Sequence, residues 1–207
     1  MPIYTVRLTE REEVADRTMA FHFEKPAGQF GDFTLIDPPE TDAEGNIRGF
    51  SLANAPYEKD LKITTRMRDT AFKRVMKELP YGTQLKLDAP YGSFTLHNNA
   101  AIPAVFLTGG IGITVVRSIL LEATHKAVPR RILIFYANRR PEDAAFLEEL
   151  RTVAAQNPHF TFVPTMTKIE HARNTWAGET GYITKAMLER YIDDLTAPIY
   201  YSTGPAM

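Results

Sequence analysis

Two periodicities divide this chain. Through residue 98, hydrophobic and polar positions alternate over short runs at 3–8, 19–23, 61–67, 83–88 and 93–97. A period of two places every second side chain on one face, the pattern of a half-buried strand. Turn-forming residues separate the runs, among them Pro26-Ala-Gly28, Pro38-Pro39, Ala55-Pro56, Tyr81-Gly82 and Ala89-Pro-Tyr-Gly92. Short strands punctuated in this way predict an antiparallel barrel or sandwich. One helix over 69–79 interrupts them. It has Phe72, Val75, Met76 and Leu79 at helical spacing, Asp69 as its cap and Pro80 as its stop.

From residue 99 the pattern changes. Apolar runs at 105–107, 132–136, 160–164 and 199–201 read as buried strands, and helical stretches at 114–127, 141–156 and 184–195 lie between them. Strand–helix alternation with short connections predicts a parallel sheet wrapped by helices. The chain therefore reads as two domains, an antiparallel β-barrel over 1–98 and an α/β parallel-sheet domain over 99–207. Gly178 and Gly181 flank a predicted loop around Trp176.

The abrupt strand ending in Leu107-Thr-Gly-Gly-Ile-Gly-Ile-Thr114 carries the first chemical signal. Glycines between a buried strand and a helix start expose backbone N–H groups and the positive end of a helix dipole. Missing Cβ atoms let a pyrophosphate approach closely. In an open parallel sheet, ligands bind beyond the carboxyl ends of the strands. The glycine turn and Ser202-Thr-Gly-Pro205 should both lie there, so two separate regions converge on one crevice.

Composition narrows the chemistry. A length of 207 residues, 44% hydrophobic and 24% charged, is ordinary for a globular chain, and a formal net charge of −1 gives no argument for nucleic acid as partner. No apolar run reaches the length of a membrane span, and the first ten residues lack a signal-peptide pattern, so a soluble, cytoplasmic protein is expected. The absence of cysteine excludes disulfides, thiolate zinc sites and a cysteine-held iron–sulfur cluster within these residues. His22, His97, His125, His159 and His171 have no metal-ligand spacing, and neither a serine-hydrolase elbow nor a Walker loop occurs. No metal site is expected.

Three segments in order resemble the ferredoxin–NADP reductase family. Arg48-Gly-Phe-Ser-Leu52 is similar to its Arg-x-Tyr-Ser flavin motif, Gly109-Gly-Ile-Gly-Ile-Thr114 to its nicotinamide-nucleotide turn, and Ser202-Thr-Gly-Pro205 to its Cys-Gly-Pro segment. The resemblance implies an N-terminal barrel that binds FAD and a C-terminal domain that binds NADPH or NADH.

Carried over, it assigns flavin contacts to Arg48, Phe50, Ser51 and Leu52, to Thr65, Arg66 and Met67, and to Thr70, Ala71, Phe72 and Lys73. Arg48 would pair with the flavin phosphate; read without the family, it is a surface ion pair with Asp37 or Glu40. Phe50 replaces the usual tyrosine. Nucleotide contacts fall to Gly109, Gly110, Gly112, Ile113 and Thr114, to Asn138 and Arg139, and to Thr203, Gly204 and Pro205. Arg139 or Arg140 would neutralise a 2′-phosphate; the competing reading is two solvated arginines beside Glu142 and Asp143. Ser51 and Thr203, the latter in place of cysteine, would border the reacting atoms. Sequence ends at Met207, where family members run on, so the family's C-terminal tail is expected to be lacking.

The implied activity is an FAD-dependent NAD(P)H oxidoreductase that passes electrons to a ferredoxin-like protein, another redox partner or a small acceptor. Two alternatives stay open: a non-catalytic flavin- or nucleotide-binding module, and a flavin reductase that uses free flavin as substrate.

Overall fold

The computed structural model describes residues 3–23 and 30–205, so the turn at Pro26-Ala-Gly28 lies outside the described residues. The chain divides into two compact units, Met1–Phe94 and Thr95–Met207.

The first unit contains strands β1 (Ile3–Ala15), β2 (Thr18–Phe23), β3 (Phe30–Leu35), β4 (Ile47–Ser51), β5 (Leu61–Arg66) and β6 (Gln84–Tyr91), with helix α1 (Ala71–Glu78) between the last two. Their order is β4-β3-β6-β1-β2-β5, and every pairing is antiparallel. A bridge between Leu52 and Ile63 joins the two edges and closes the sheet into a barrel. Alternation sends Leu85, Leu87 and Ala89 of β6 inward, where they meet Leu8, Phe21, Phe33, Leu61 and Ile63. Helix α1 plugs this core with Ala71, Phe72, Val75 and Met76, a stripe at three- and four-residue spacing. Strands β3 and β4 escape the sequence pattern because Gly31, Asp32 and Gly49 dilute it.

The expected strand at 93–97 does not form. Gly92, at φ +89°, turns the chain out of β6, and the backbone N–H of His97 is taken by the Tyr201 hydroxyl at 2.9 Å. The second unit accordingly begins at Thr95.

The second unit runs β7 (Ala104–Gly109), a 3-10 turn Gly110–Gly112, α2 (Ile113–His125), β8 (Ile132–Asn138), α3 (Leu147–Gln156), β9 (Phe160–Met166), β10 (Glu179–Thr180), α4 (Lys185–Glu189) and β11 (Ile199–Thr203). All strands are parallel, in the order β10-β9-β8-β7-β11. Every residue of β8 is buried, as expected for a central strand covered on both faces. From β7 the sheet grows one way through β8 and β9 to β10, and β11 returns to the other side of β7. The order therefore reverses between β7 and β11, the position at which such sheets open a crevice.

Two helices are shorter than the sequence suggests. The 141–156 stretch is a 3-10 turn at Pro141–Asp143 and then α3, with Phe146 between them at φ +60°. Of 184–195 only Lys185–Glu189 is helical, started by the Thr184 side chain accepting from the Met187 N–H at 3.2 Å.

Candidate functional site

At the β7–β11 switch point two turns meet backbone to backbone. Gly110 takes φ +50° and Gly204 φ +117°, both in the region that favours glycine. A Cβ on Gly112 would lie 2.6 Å from the Gly204 nitrogen and 2.7 Å from its Cα, and one on Gly204 would collide with the Gly109 carbonyl oxygen. The contact leaves no room for side chains between the two turns, while a Cβ on Gly110 would meet open space; bare main chain beside a helix N-terminus is what a pyrophosphate can approach. The first N–H groups of α2 receive no side-chain cap.

Ile113 and Thr114 face inward, the Thr114 hydroxyl donating to the Ile111 carbonyl at 3.0 Å, so both brace the turn from behind. Thr203 stands beside Thr108 in register, at the end of β11, and Pro205 is exposed just beyond it.

Asn138 closes β8 in the same row of strand ends. Its carbonyl accepts from Thr167 N–H at 2.8 Å, while both polar atoms of its buried side chain lack a partner among the described residues. Orphaned amide atoms at a strand's carboxyl end suit a ligand with hydroxyl groups. The adjacent arginines differ. Arg140 is held by the Asp143 carboxylate at 2.8 and 2.9 Å and by Glu142 at 3.4 Å. Arg139 is exposed and has no ion-pair partner among the described residues.

The barrel gathers a second set of residues at the start of α1. The Arg48 guanidinium lies 5.4 Å over the Phe72 ring, and the Phe50 ring is 5.8 Å from Phe72 and 5.9 Å from Phe33. Lys73 Nζ donates to the Arg66 carbonyl at 2.7 Å. Burial pushes the Lys73 ammonium below its ordinary pKa, and the neighbouring charges of Arg68 and Arg48 push the same way. A half-buried lysine facing two arginines beside a helix N-terminus fits a dianionic phosphate. Thr70 precedes the helix with its hydroxyl buried and unpartnered among the described residues.

The other assigned flavin residues also make contacts within the barrel. Leu52 and Met67 pack on the barrel core, the Thr65 hydroxyl contacts the Arg66 carbonyl at 3.4 Å, and the Arg66 guanidinium turns away to the Asp16 carbonyl at 3.0 Å. Ser51 ends β4 opposite Phe30.

Asp69 does not cap α1. The Ala71 N–H is taken by the Asp42 carboxylate at 2.9 Å, across 29 residues of chain, while Asp69 pairs with Arg74. Arg48 likewise pairs with Glu44 at 2.7 Å and Asp42 at 3.3 Å, not with Asp37 or Glu40. The sequence reading missed Asp42 and Glu44. Their signal was a run of carboxylates immediately before the Arg48 motif.

The molecule is thus a two-unit protein, an antiparallel barrel followed by a parallel sheet with a close-packed glycine turn at its switch point. The oxidoreductase NAD-binding domain family matches residues 106–207. The chain is 28% identical over 193 residues to the reductase component of phenol 2-monooxygenase from Pseudomonas, covering 92% of this chain and 52% of that one. It is 26% identical over 187 residues to a probable flavin reductase from Aliivibrio fischeri, covering 87% and 74%. Its fold resembles the cytochrome b5 reductase domain of Ulva prolifera nitrate reductase, with TM-score 0.79, 16% identity and coverage of 99% and 87%. A Neisseria gonorrhoeae ferredoxin NADP+ reductase, solved with bound FAD and NADP, gives TM-score 0.72 at 19% identity, with coverage of 91% and 76%. Residues 106–207 thus match an oxidoreductase NAD-binding domain, and the chain as a whole is similar in sequence to reductases and shares its fold with a ferredoxin NADP+ reductase. It spans about half the length of the phenol 2-monooxygenase component.

Proposed function

We propose that this chain is the flavin- and nicotinamide-nucleotide-binding part of an NAD(P)H oxidoreductase. It takes a hydride from NADPH or NADH onto FAD and passes electrons to a ferredoxin-like protein, another redox partner or a small acceptor. The observation that carries the reading is the contact of Gly112 with Gly204 at the β7–β11 switch point, inside the matched NAD-binding domain. Nicotinamide and isoalloxazine, when bound, supply the hydride and electron chemistry. The protein's part is binding and orientation. Gly109, Gly110 and Gly112 offer main-chain donors to the nucleotide pyrophosphate, Asn138 a side-chain amide to the ribose, and Thr203 a small hydroxyl at the nicotinamide end. Arg48, Lys73 and the first N–H groups of α1 hold the flavin phosphates, and Phe50 and Ser51 border its ring. We assign flavin binding to the first unit and nucleotide binding to the second.

The likeness to an oxygenase reductase component supports delivery of electrons to a protein partner; the likeness to a probable flavin reductase supports a second reading, in which flavin is released as product. A cytoplasmic setting is part of the proposal. Among the described residues no helix is long and apolar enough to cross a membrane.

The test is a visible spectrum of the purified chain with FAD, followed by anaerobic addition of NADPH and NADH. Bound flavin that bleaches with either nucleotide is the expected result, and Arg48→Ala should lower flavin occupancy. A chain that takes up no FAD, or whose flavin neither nucleotide bleaches, overturns the catalytic reading in favour of a non-catalytic module.

A further inference from the structure

The β3–β4 connection is an acid-only segment whose carboxylates meet the arginines Arg48 and Arg74, the latter shared with Asp69. Residues 36–46 carry Asp37, Glu40, Asp42 and Glu44 and no lysine or arginine. The segment is anchored at its base: Leu35 N–H donates to the Asn46 carbonyl at 3.0 Å, and the Asn46 amide returns a bond to the Leu35 carbonyl at 2.8 Å. Pro38-Pro39 stiffens one limb, and Gly45, at φ +75°, turns the other. The carboxylates meet cations in sequence. Glu40 pairs with Arg74, Asp42 with Arg48 at 3.3 Å, and Glu44 with Arg48 at 2.7 Å.

Asp42 is the centre of this strap. One oxygen accepts the Ala71 N–H in the first turn of α1 at 2.9 Å; the other accepts from Arg48 and from the Glu44 N–H at 3.0 Å. A helix N-terminal N–H together with a guanidinium is the donor set a phosphate oxygen uses. The other Arg48 nitrogen is bent back to the Glu44, Gly45 and Ile47 carbonyls at 2.8, 3.2 and 2.7 Å. The strap therefore already occupies the donors assigned above to the flavin phosphate.

We propose that the 36–46 strap is a built-in competitor for that phosphate: Asp42 and Glu44 hold the Ala71 N–H and Arg48 until a flavin phosphate displaces them, which makes the flavin exchangeable. This rests on the flavin reading of the barrel. Charge decides the exchange. The strap offers single-charge carboxylates, with the Glu44 side chain 68% exposed, and exposed ion pairs are weak. A phosphomonoester or pyrophosphate brings about two charges and more acceptor oxygens to the same donors, with Lys73 and Arg68 alongside.

The test measures dissociation constants of FMN, FAD and riboflavin for the whole chain and for Glu44→Gln and Asp42→Ala, by quenching of flavin fluorescence. Riboflavin lacks the phosphate and serves as the internal control. Glu44→Gln, which leaves α1 untouched, should bind FMN and FAD several-fold more tightly, and Asp42→Ala about tenfold more tightly, the size of one charge-assisted hydrogen bond released for the ligand. Riboflavin binding should not move. Wild-type binding of FMN that Glu44→Gln fails to tighten overturns the strap and leaves the flavin reading standing. Equal tightening of riboflavin overturns competition at the phosphate. No binding of any flavin by any of the three chains overturns both. Circular dichroism identifies an Asp42→Ala chain that has lost its fold, in which case Glu44→Gln alone decides.

Discussion

Tyr201 and His97 satisfy one another across more than a hundred residues. The His97 backbone N–H donates to the Tyr201 oxygen at 2.9 Å, and the two side chains meet at 2.7 Å between the hydroxyl and Nδ1. The opposite ring nitrogen, Nε2, lies 3.0 Å from the Ile102 carbonyl. A carbonyl only accepts, so Nε2 carries the proton of the neutral ring and Nδ1 accepts from tyrosine. Tyr201 also stacks on Phe106 at 4.7 Å, two residues before the Thr203-Gly204 turn. Tyr201→Phe keeps the stacking and removes the hydroxyl alone. It should lower the stability of the second unit by about 1–3 kcal/mol, read as a lower urea midpoint at unchanged slope.

Gly112→Ala and Gly110→Ala should differ in kind. The first puts a methyl 2.6 Å from the Gly204 nitrogen, so the two turns must part. We expect NAD(P)H binding to weaken by more than about tenfold and stability to fall by about 1–3 kcal/mol. The second meets open space and suffers only its backbone conformation, φ +50°, at about 1–2 kcal/mol. Nucleotide titration of both variants checks the contrast. Equal losses would show that the close approach is irrelevant to the ligand.

Nucleotide choice should depend on Arg139 and not on Arg140. The Arg140 guanidinium is already matched by Asp143 and Glu142, whereas Arg139 is exposed. With NADPH as the preferred donor, Arg139→Ala should lower kcat/KM for NADPH by about tenfold and leave NADH unchanged, consistent with one lost charge contact. Arg140→Ala should alter neither ratio. Steady-state rates with both nucleotides and an artificial acceptor decide, and a wild-type chain indifferent to the 2′-phosphate removes Arg139 from the site.

Acid should loosen the seam at Glu179. Its carboxylate accepts from the Tyr191 hydroxyl at 2.7 Å and from Arg190 at 2.5 Å, and these partners hold it below its ordinary pKa of 4.5. A depressed carboxyl stabilises the folded state fully above its unfolded value. That contribution disappears as pH falls through the lower folded value. Glu179→Gln should therefore be less stable than wild type at neutral pH, with the difference shrinking below about pH 4.5. Thermal midpoints measured from pH 7 to pH 3 test the sign.

Much of this architecture was legible because alternation and continuous burial are local patterns. The runs at 61–67 and 83–88 became β5 and β6, and the glycine turn announced the β7–α2 junction. What stayed hidden depends on distant partners. Asp42 caps α1 from another connection, so no spacing rule finds it, and adjacent Asp69 was the natural choice. Ser93 to His97 alternates like a strand, yet the donor at His97 goes to a tyrosine side chain. The difference between Arg139 and Arg140 is equally invisible in a dipeptide, since it arises from the turn that places Asp143 within reach of only one of them.

The bridge from Leu52 to Ile63 gives the barrel an unusual dependence. It follows directly on Phe50 and Ser51, and the next amide, Ala53 N–H, reaches the Lys62 carbonyl at 2.7 Å. Closure of the cylinder and presentation of those two residues therefore belong to one stretch of backbone. A ligand leaning on the Phe50 ring also leans on the hasp, and a fluctuation that opens the hasp withdraws the ring. On the proposed flavin reading, amide exchange at Ala53 should therefore slow when FAD fills the first unit and quicken when it leaves.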